Sequence, residues 1–352
     1  MIRAALGRAL ETGALDGRLA RAAARFWAGH ADVVRPLVLP HGAAVIGVGG
    51  STLGGSHKTP VALALAAALR GRGEALHVVG HGYRARVPCA RAVHRGDSAR
   101  TVGDDAAWLA DELRGAGVSV FVGDRGAALR LAAANATVVI VDGLLQARPR
   151  RLSLSLLAVD ATDPWGAGAC PPAGDLRAAP EALLAAADAV VAVHPGIVVE
   201  RSDALHDASS WVGMAPAELA RLTACRPVFA VGARLGATLV EGGRALSLAS
   251  LAGTRVGVVL AIARPERVLR CLSASGIHPV ATRLFADHAR PRARGLGLRD
   301  AVDVWLTTPK CATKLGAHFE GANVVVLRRE LSLPDGLLAL CTAAARAPDG
   351  PS

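Results

Sequence analysis

Short, unbroken apolar runs recur through the first two hundred residues: AAVIGVGG (43–50), ALHVVG (75–80), VSVFVG (118–123), ATVVIVD (136–142), LSLLAVD (154–160) and AVVAVH (189–194). Runs without polar alternation are what strands covered on both faces look like, and alanine-rich stretches of helical character separate them. This order predicts a doubly wound parallel sheet. A second series of the same kind starts at PVFAVGARLGATLVEGG (227–243) and continues through TRVGVVLAIARPERVLRCLSASG, AVDVWLTTPKCATKLG and ANVVVLRRE. The expected fold is therefore α/β, a P-loop NTPase-like doubly wound parallel sheet with a second, smaller α/β domain. The boundary is expected within MAPAELARLTACRP (214–227), which divides the chain into residues 31–224 and 225–352.

Ahead of both lies a basic amphipathic segment in residues 1–30, expected as a helix over 4–28. Leu6, Leu10, Leu15, Leu19, Phe26 and Trp27 supply apolar mass, and Arg8, Arg18, Arg21 and Arg25 supply charge. Such a helix suits a lipid interface; an ordinary helix packed on the domain is the other reading.

The apolar fraction is 52%, yet no stretch reaches the roughly 18 uninterrupted apolar residues that a spanning helix needs. The fold is thus expected to be soluble and at most attached to a membrane surface. Net charge is +11, which suits polyanions without choosing among them. Nucleic acid is not expected as a partner, because no aromatic cluster for base stacking lies among the basic residues. Six scattered cysteines with no CxxC pair argue against a zinc site or a disulfide framework, and no secretory signal pattern opens the chain. Only three lysines occur, Lys58, Lys310 and Lys314, and arginine supplies the rest of the positive charge. In such a chain a retained lysine suggests a position that wants a compact point charge.

STLGGSHKTP (51–60) lies between a predicted strand and a predicted helix, where backbone N–H groups can wrap phosphates. Lys58 fits the lysine that reaches the outer phosphates, and Thr59 the hydroxyl that holds Mg²⁺. Thr52 and His57 stand where the strict G-x-x-x-x-G-K-[ST] pattern has glycines. ATVVIVD, ending at Asp142, has the form of a Walker B strand; a helix cap is the plainer reading of that aspartate.

The stretch VIGVGGSTLGGSHKTPVALALAAAL resembles the nucleotide-binding segment of the tetraacyldisaccharide 4'-kinase family of lipid A biosynthesis, whose loop also carries Thr or Ser at the first glycine position. HGYRAR (81–86) is similar to its RGY segment, VGDDAAWLA (102–110) to VGDEA, VDGLLQ (141–146) to DDGLQH, and WGAGACPPAGDLR (165–177) to FGNGxLLPAGPLRE. In the second half AIARPERVLRCL (261–272), LFADHA (284–289) and LTTPKCATKL (306–315) resemble AIARPxRFxxxL, xFPDHH and xTTEKDAVKL. The segments occur in the family's order.

The resemblance implies an ATP- and Mg²⁺-dependent kinase that phosphorylates the 4'-hydroxyl of a tetraacylated glucosamine disaccharide 1-phosphate. It would work as a peripheral protein on the anionic, cytoplasmic face of the inner membrane, with no obligatory protein partner evident. Gly54, Gly55, Ser56, His57, Lys58 and Thr59 would form the phosphate loop, with Arg177 neutralising phosphate charge. Thr59, Asp142 and Asp105 would hold the metal, and Asp104 with His288 would take the proton from the sugar hydroxyl. The departures from the pattern are His57, Gly143 at the second aspartate of DDGLQH, Ala147 at its histidine, Asp105 for a glutamate, Ala178 for the glutamate after Arg177, and Cys311 for the aspartate of EKD. They leave two alternatives open: a degenerate paralogue that binds nucleotide or lipid without turnover, and a P-loop ATPase acting with a protein partner.

Overall fold

A computed structural model describes residues 2–31, 33–83, 85–195, 214–239, 245–246, 248–291, 302–315 and 323–347. Arg84 of the HGYRAR segment and residues 240–243 of the PVFAVGARLGATLVEGG stretch lie outside these.

Two helices, α1 (Ile2–Thr12) and α2 (Arg18–His30), precede the short strand β1 (Val34–Pro36) and the fully buried β2 (Ala44–Gly50). Next come α3 (Lys58–Gly71), β3 (Leu76–Val79), β4 (Arg91–Ala92), α4 (Ala99–Val102), α5 (Asp104–Leu113), β5 (Val120–Val122) and α6 (Arg125–Ala133). The first half ends with β6 (Val138–Asp142), β7 (Gln146–Arg148), β8 (Leu154–Asp160), α7 (Pro180–Ala186), β9 (Ala189–Pro195) and α8 (Pro216–Cys225). The second half holds β10 (Val228–Leu239), β11 (Ala245–Leu246), β12 (Val256–Leu260), α9 (Glu266–Ala274), β13 (Ala281–Leu284), β14 (Val304–Thr307), α10 (Pro309–Leu315), β15 (Val324–Ser332) and α11 (Asp335–Arg346).

The strands join into one sheet in the order β13-β12-β14-β15-β10-β9-β8-β2-β6-β3-β5-β4, with β11 paired to β10; β1 and β7 pair separately. From β9 to β5 every pairing is parallel, as the apolar runs predict, and β13, β12, β14 and β15 form a second parallel group. The two groups meet at the antiparallel pair β10–β15, where Gly232 faces Ser332 and Leu239 faces Val325. An antiparallel seam reverses the sheet's sense there.

The core follows from this layering. Val61, Leu65 and Leu69 of α3 pack with Val102, Leu109 and Leu113 over the face of β2, β3 and β6 that carries Val48, Val78 and Ile140. Val231 and Ala233 of β10 and Leu337, Leu338 and Cys341 of α11 belong to the same cluster, so the chain's last helix returns to the first half. Val256, Val258, Leu260, Leu272, Leu306 and Val325 form the main cluster of the second half.

At the N-terminus the single helix expected over 4–28 is two helices, separated by a stretch that includes Gly13, at φ 66°, and Gly17, the N-cap of α2. One side of this segment packs on the fold and another is exposed. Ala24 is buried against Cys170, Ala173 and Leu176, while Leu19 is 88% exposed, Phe26 69% and Trp27 52%. Among the described residues no helix is long and apolar enough to cross a membrane.

Candidate active site

The C-terminal ends of β2, β6 and β8 deliver the loop 51–57, Asp142 and Asp160 to one edge of the sheet, where ligands of open α/β sheets bind. The loop's glycines answer to contacts. A Cβ on Gly50 would lie 1.9 Å from Oγ of Ser56, and Gly55 has φ 78°. A Cβ on Gly54 would meet Ala263 at 2.6 Å, so the second half approaches the loop closely. His57, the residue before Lys58, has φ 62° and ψ 14°, the left-handed conformation that explains a glycine there in the general motif. For a histidine that conformation costs about 1–3 kcal/mol.

Thr59 donates from Oγ1 to Oδ2 of Asp142 at 2.7 Å, so the two expected metal-side groups are in contact. Oδ1 of Asp142 is buried and has no hydrogen-bond partner among the described residues. Burial pushes the carboxyl above its ordinary range, and the charge of Lys58 only partly offsets that. A buried, unpaired carboxylate oxygen beside a hydroxyl is a hard-oxygen donor set, and it fits Mg²⁺.

The strand register corrects one sequence reading. Val139 and Val141 point into one buried cluster and Val138 and Ile140 into the other, which leaves Asp142 on the face of α3. Gly143 has φ 79°, and a Cβ there would sit 2.9 Å from Nδ1 of His81. It is therefore the turn glycine of the DDGLQH-like segment and not the place of its second aspartate. Read without a gap, Asp142 takes that place and Val141 the first. Gln146 then falls on the histidine, and its amide accepts from the backbone N–H groups of Ala147 and Leu152 and donates to Ser155.

Asp104 and Asp105 occupy the first turn of α5, where the helix's positive end favours their charge. Across the cleft, His288 follows β13, and its Nδ1 lies 2.7 Å from Oδ1 of Asp104. The other two lysines of the chain converge here from α10. Lys314 Nζ is 2.8 Å from Oδ2 of Asp104, and Lys310 Nζ is 3.2 Å from Asp105 and 3.3 Å from Asp287. Burial works against ionisation of Asp104, but the His288 hydrogen bond and the two ammonium groups outweigh it and hold its carboxyl well below the usual range. Burial likewise opposes charge on Lys310, and Asp105, Asp287 and Asp104 more than compensate. All three lysines, retained in an arginine-dominated chain, thus lie at the proposed phosphate loop or opposite the carboxylates of α5.

Arg177 is placed against the loop, donating to the carbonyls of Thr52 at 2.9 Å and Leu53 at 3.2 Å. Asp105 faces Lys310, and Thr59 contacts Asp142 alone of the expected metal-side carboxylates. Several residues escaped the sequence reading. Asp287 lies 3.3 Å from Nε2 of His288, and its neighbour in the quoted LFADHA segment was the only signal. Asp160 receives His57 and Arg267, while Arg264 bonds Asp163 and Asp175. Strand-end position marks Asp160, and Arg264 and Arg267 fall on the two arginines of the quoted AIARPxRFxxxL segment, which carried no role for them. Tyr83 packs its ring 4.7 Å from that of His288.

Comparisons with known proteins point to one family. The family model described as "Tetraacyldisaccharide-1-P 4'-kinase" matches residues 20–345. A tetraacyldisaccharide 4'-kinase of Anaeromyxobacter dehalogenans (strain 2CP-C) is 34% identical over 312 residues, covering 84% of this chain and 79% of its own. One from Methylobacterium nodulans is 34% identical over 346 residues, covering 91% and 92% respectively. The crystal structure of Aquifex aeolicus LpxK in complex with ATP superposes with a TM-score of 0.61 at 21% identity, covering 98% of this chain and 99% of that one, a likeness of fold. On the family match and the identities together, the chain belongs to the tetraacyldisaccharide-1-P 4'-kinase family.

Proposed function

We propose that this protein transfers the γ-phosphoryl group of ATP to the 4'-hydroxyl of a tetraacylated glucosamine disaccharide 1-phosphate, with Asp104 and His288 receiving the hydroxyl's proton. One observation carries the assignment of roles. A histidine and an aspartate 184 positions apart meet at 2.7 Å in the cleft faced by the phosphate loop.

In this reading the backbone of Gly54 to Lys58 and the Ser56 hydroxyl surround the phosphates, and the Lys58 ammonium balances charge on the outer ones. Thr59 and Asp142 would hold Mg²⁺, which would supply charge neutralisation at the phosphates. Arg177 keeps the first turn of the loop in place through its two carbonyl contacts. The acceptor hydroxyl displaces Asp287 from Nε2 of His288 and passes its proton to that nitrogen. Its oxygen forms the new bond to phosphorus as the bond to ADP breaks. Asp104 orients the imidazole and stabilises the imidazolium that results.

The acceptor is a lipid, and the exposed side chains of Leu19, Phe26 and Trp27, flanked by Arg18, Arg21 and Arg25, fit the headgroup boundary of an anionic membrane. The protein then works as a peripheral protein at the cytoplasmic face of the inner membrane. Purified protein given ATP, Mg²⁺ and the disaccharide 1-phosphate lipid should produce the 1,4'-bisphosphate. Absence of that product, with the wild-type protein folded and binding nucleotide, rejects the reading.

A further inference from the structure

His57 departs from the glycine of the general motif at a position whose backbone is left-handed. Its side chain is not merely tolerated there. Nε2 lies 2.8 Å from Oδ2 of Asp160, and Nδ1 lies 3.1 Å from NH1 of Arg329. The side chain is 9% exposed and that of Asp160 1%, so these contacts are shielded from water. An arginine can only donate and an ionised carboxylate can only accept. Nδ1 is therefore the bare nitrogen, Nε2 carries the hydrogen, and the ring is neutral with both nitrogens in use.

The partners belong to different parts of the fold. Asp160 ends β8 in the first half, whereas Arg329 stands on β15 in the second. Asp160 also takes NH1 of Arg267 at 3.0 Å, and the same NH1 donates to the carbonyl of Gly55 at 2.6 Å. The phosphate loop is thus gripped at Gly55 by α9 and at His57 by β8 and β15. Lys58 and Thr59 follow directly, so whatever fixes His57 fixes where the lysine and the hydroxyl start.

We propose that His57 is a positioning residue for ATP, bridging Asp160 to Arg329 so that the loop is held in its phosphate-binding arc only while the second half is seated. It touches no reacting atom. The histidine ring ties the loop to a remote strand by side-chain bonds, which a glycine cannot make. Nucleotide affinity is in consequence coupled to contacts made more than 270 positions further along the chain.

This inference rests on the ATP-site reading of the loop, and the test separates the two. A fluorescent non-hydrolysable ATP analogue with Mg²⁺ is titrated into the full-length wild type, His57→Gly, Arg329→Met and the double variant. Thermal melts and steady-state kinetics accompany each titration. The expected result is a loss of analogue affinity of about tenfold in each single variant, a matching rise in KM for ATP, and kcat within threefold of wild type. The double variant should bind no worse than the weaker single. A role limited to stability would lower the melting temperature and leave KM in place. Wild-type affinity in His57→Gly, or losses that multiply in the double variant, overturns the proposal. If His57→Gly fails to fold, Arg329→Met decides alone, and unchanged binding there overturns it. A wild type that binds no analogue overturns the ATP-site reading along with it.

Discussion

Lys314, from the second half of the chain, places its ammonium on Oδ2 of Asp104, the carboxylate oxygen opposite the one that faces His288. Each oxygen of one aspartate therefore has a close partner from across the cleft, and Lys310 stands 3.9 Å from Oδ2. The Lys314 side chain is 3% exposed and that of Asp104 5%, so losing Lys314 removes the closest ammonium from a buried carboxylate. Lys314→Met should cost about 3–5 kcal/mol in chemical denaturation. Adding Asp104→Asn should recover part of that loss, since the double change leaves no ionised group unpaired.

Asp104 and His288 should act as a unit. Asp104→Asn and His288→Asn should each lower kcat by about 10²- to 10⁴-fold with ATP affinity little changed. The double variant should lose scarcely more than the worse single. Multiplicative losses in steady-state kinetics would assign the two residues independent roles.

Lys58→Ala should abolish turnover with the melting curve preserved, because Lys58 is the half-buried first residue of α3 and belongs to none of the apolar core clusters. Lys58→Arg should not restore activity, since a planar guanidinium does not replace a compact ammonium. Product formation near the wild-type rate in either variant would refute the phosphate-lysine role.

Asp142 should respond to pH in the opposite sense from its neighbours. Its carboxyl is raised in the folded state, so the ligand-free protein loses stability from this group as pH rises above the unfolded value of about 3.9. Asp142→Asn should therefore raise the melting temperature at neutral pH while abolishing turnover. Mg²⁺ should stabilise the wild type more than this variant. Asp104, Asp105 and Asp160 are lowered, so the stability they contribute is present above about pH 3.9 and is lost as pH falls below it. Melting temperature against pH, for wild type and Asp142→Asn, checks both signs.

The exposed face of α2 should govern membrane partitioning. Leu19→Glu, Phe26→Glu and Trp27→Glu together should shift the protein off anionic vesicles without affecting the Ala24 contacts. Wild-type binding should weaken with salt. Flotation with vesicles checks this, and unchanged partitioning would leave α2 as a packing element only.

Much of this site was legible in the sequence because it lies where local pattern and chemistry coincide. The buried β2 and the helix that begins at Lys58 carry one half of it, and the strand ending at Asp142 carries the other. The scarcity of lysine gave the remaining pointer, and all three lysines lie at this site. What escaped was fixed by tertiary contact. The antiparallel seam β10–β15 looks, residue by residue, like any other pair of apolar strands. Arg329 is one among many arginines until the fold brings it to His57, and Arg267, although it stands in the AIARPxRFxxxL-like segment, has no visible target until it reaches Gly55. Gly143, by contrast, was legible: the ungapped match of VDGLLQ to DDGLQH sets it on the glycine, and its φ of 79° shows why a glycine stands there.

The gathering of every lysine in one cleft also makes amine chemistry a site-specific tool. An amine-reactive ester has only three side chains to acylate in the whole protein, and α10 supplies two of them, with side chains 15% and 3% exposed. Once the adduct on the α-amino group is set aside, the lysine adducts located by mass spectrometry report cleft opening, and their protection by nucleotide needs no mutagenesis to interpret.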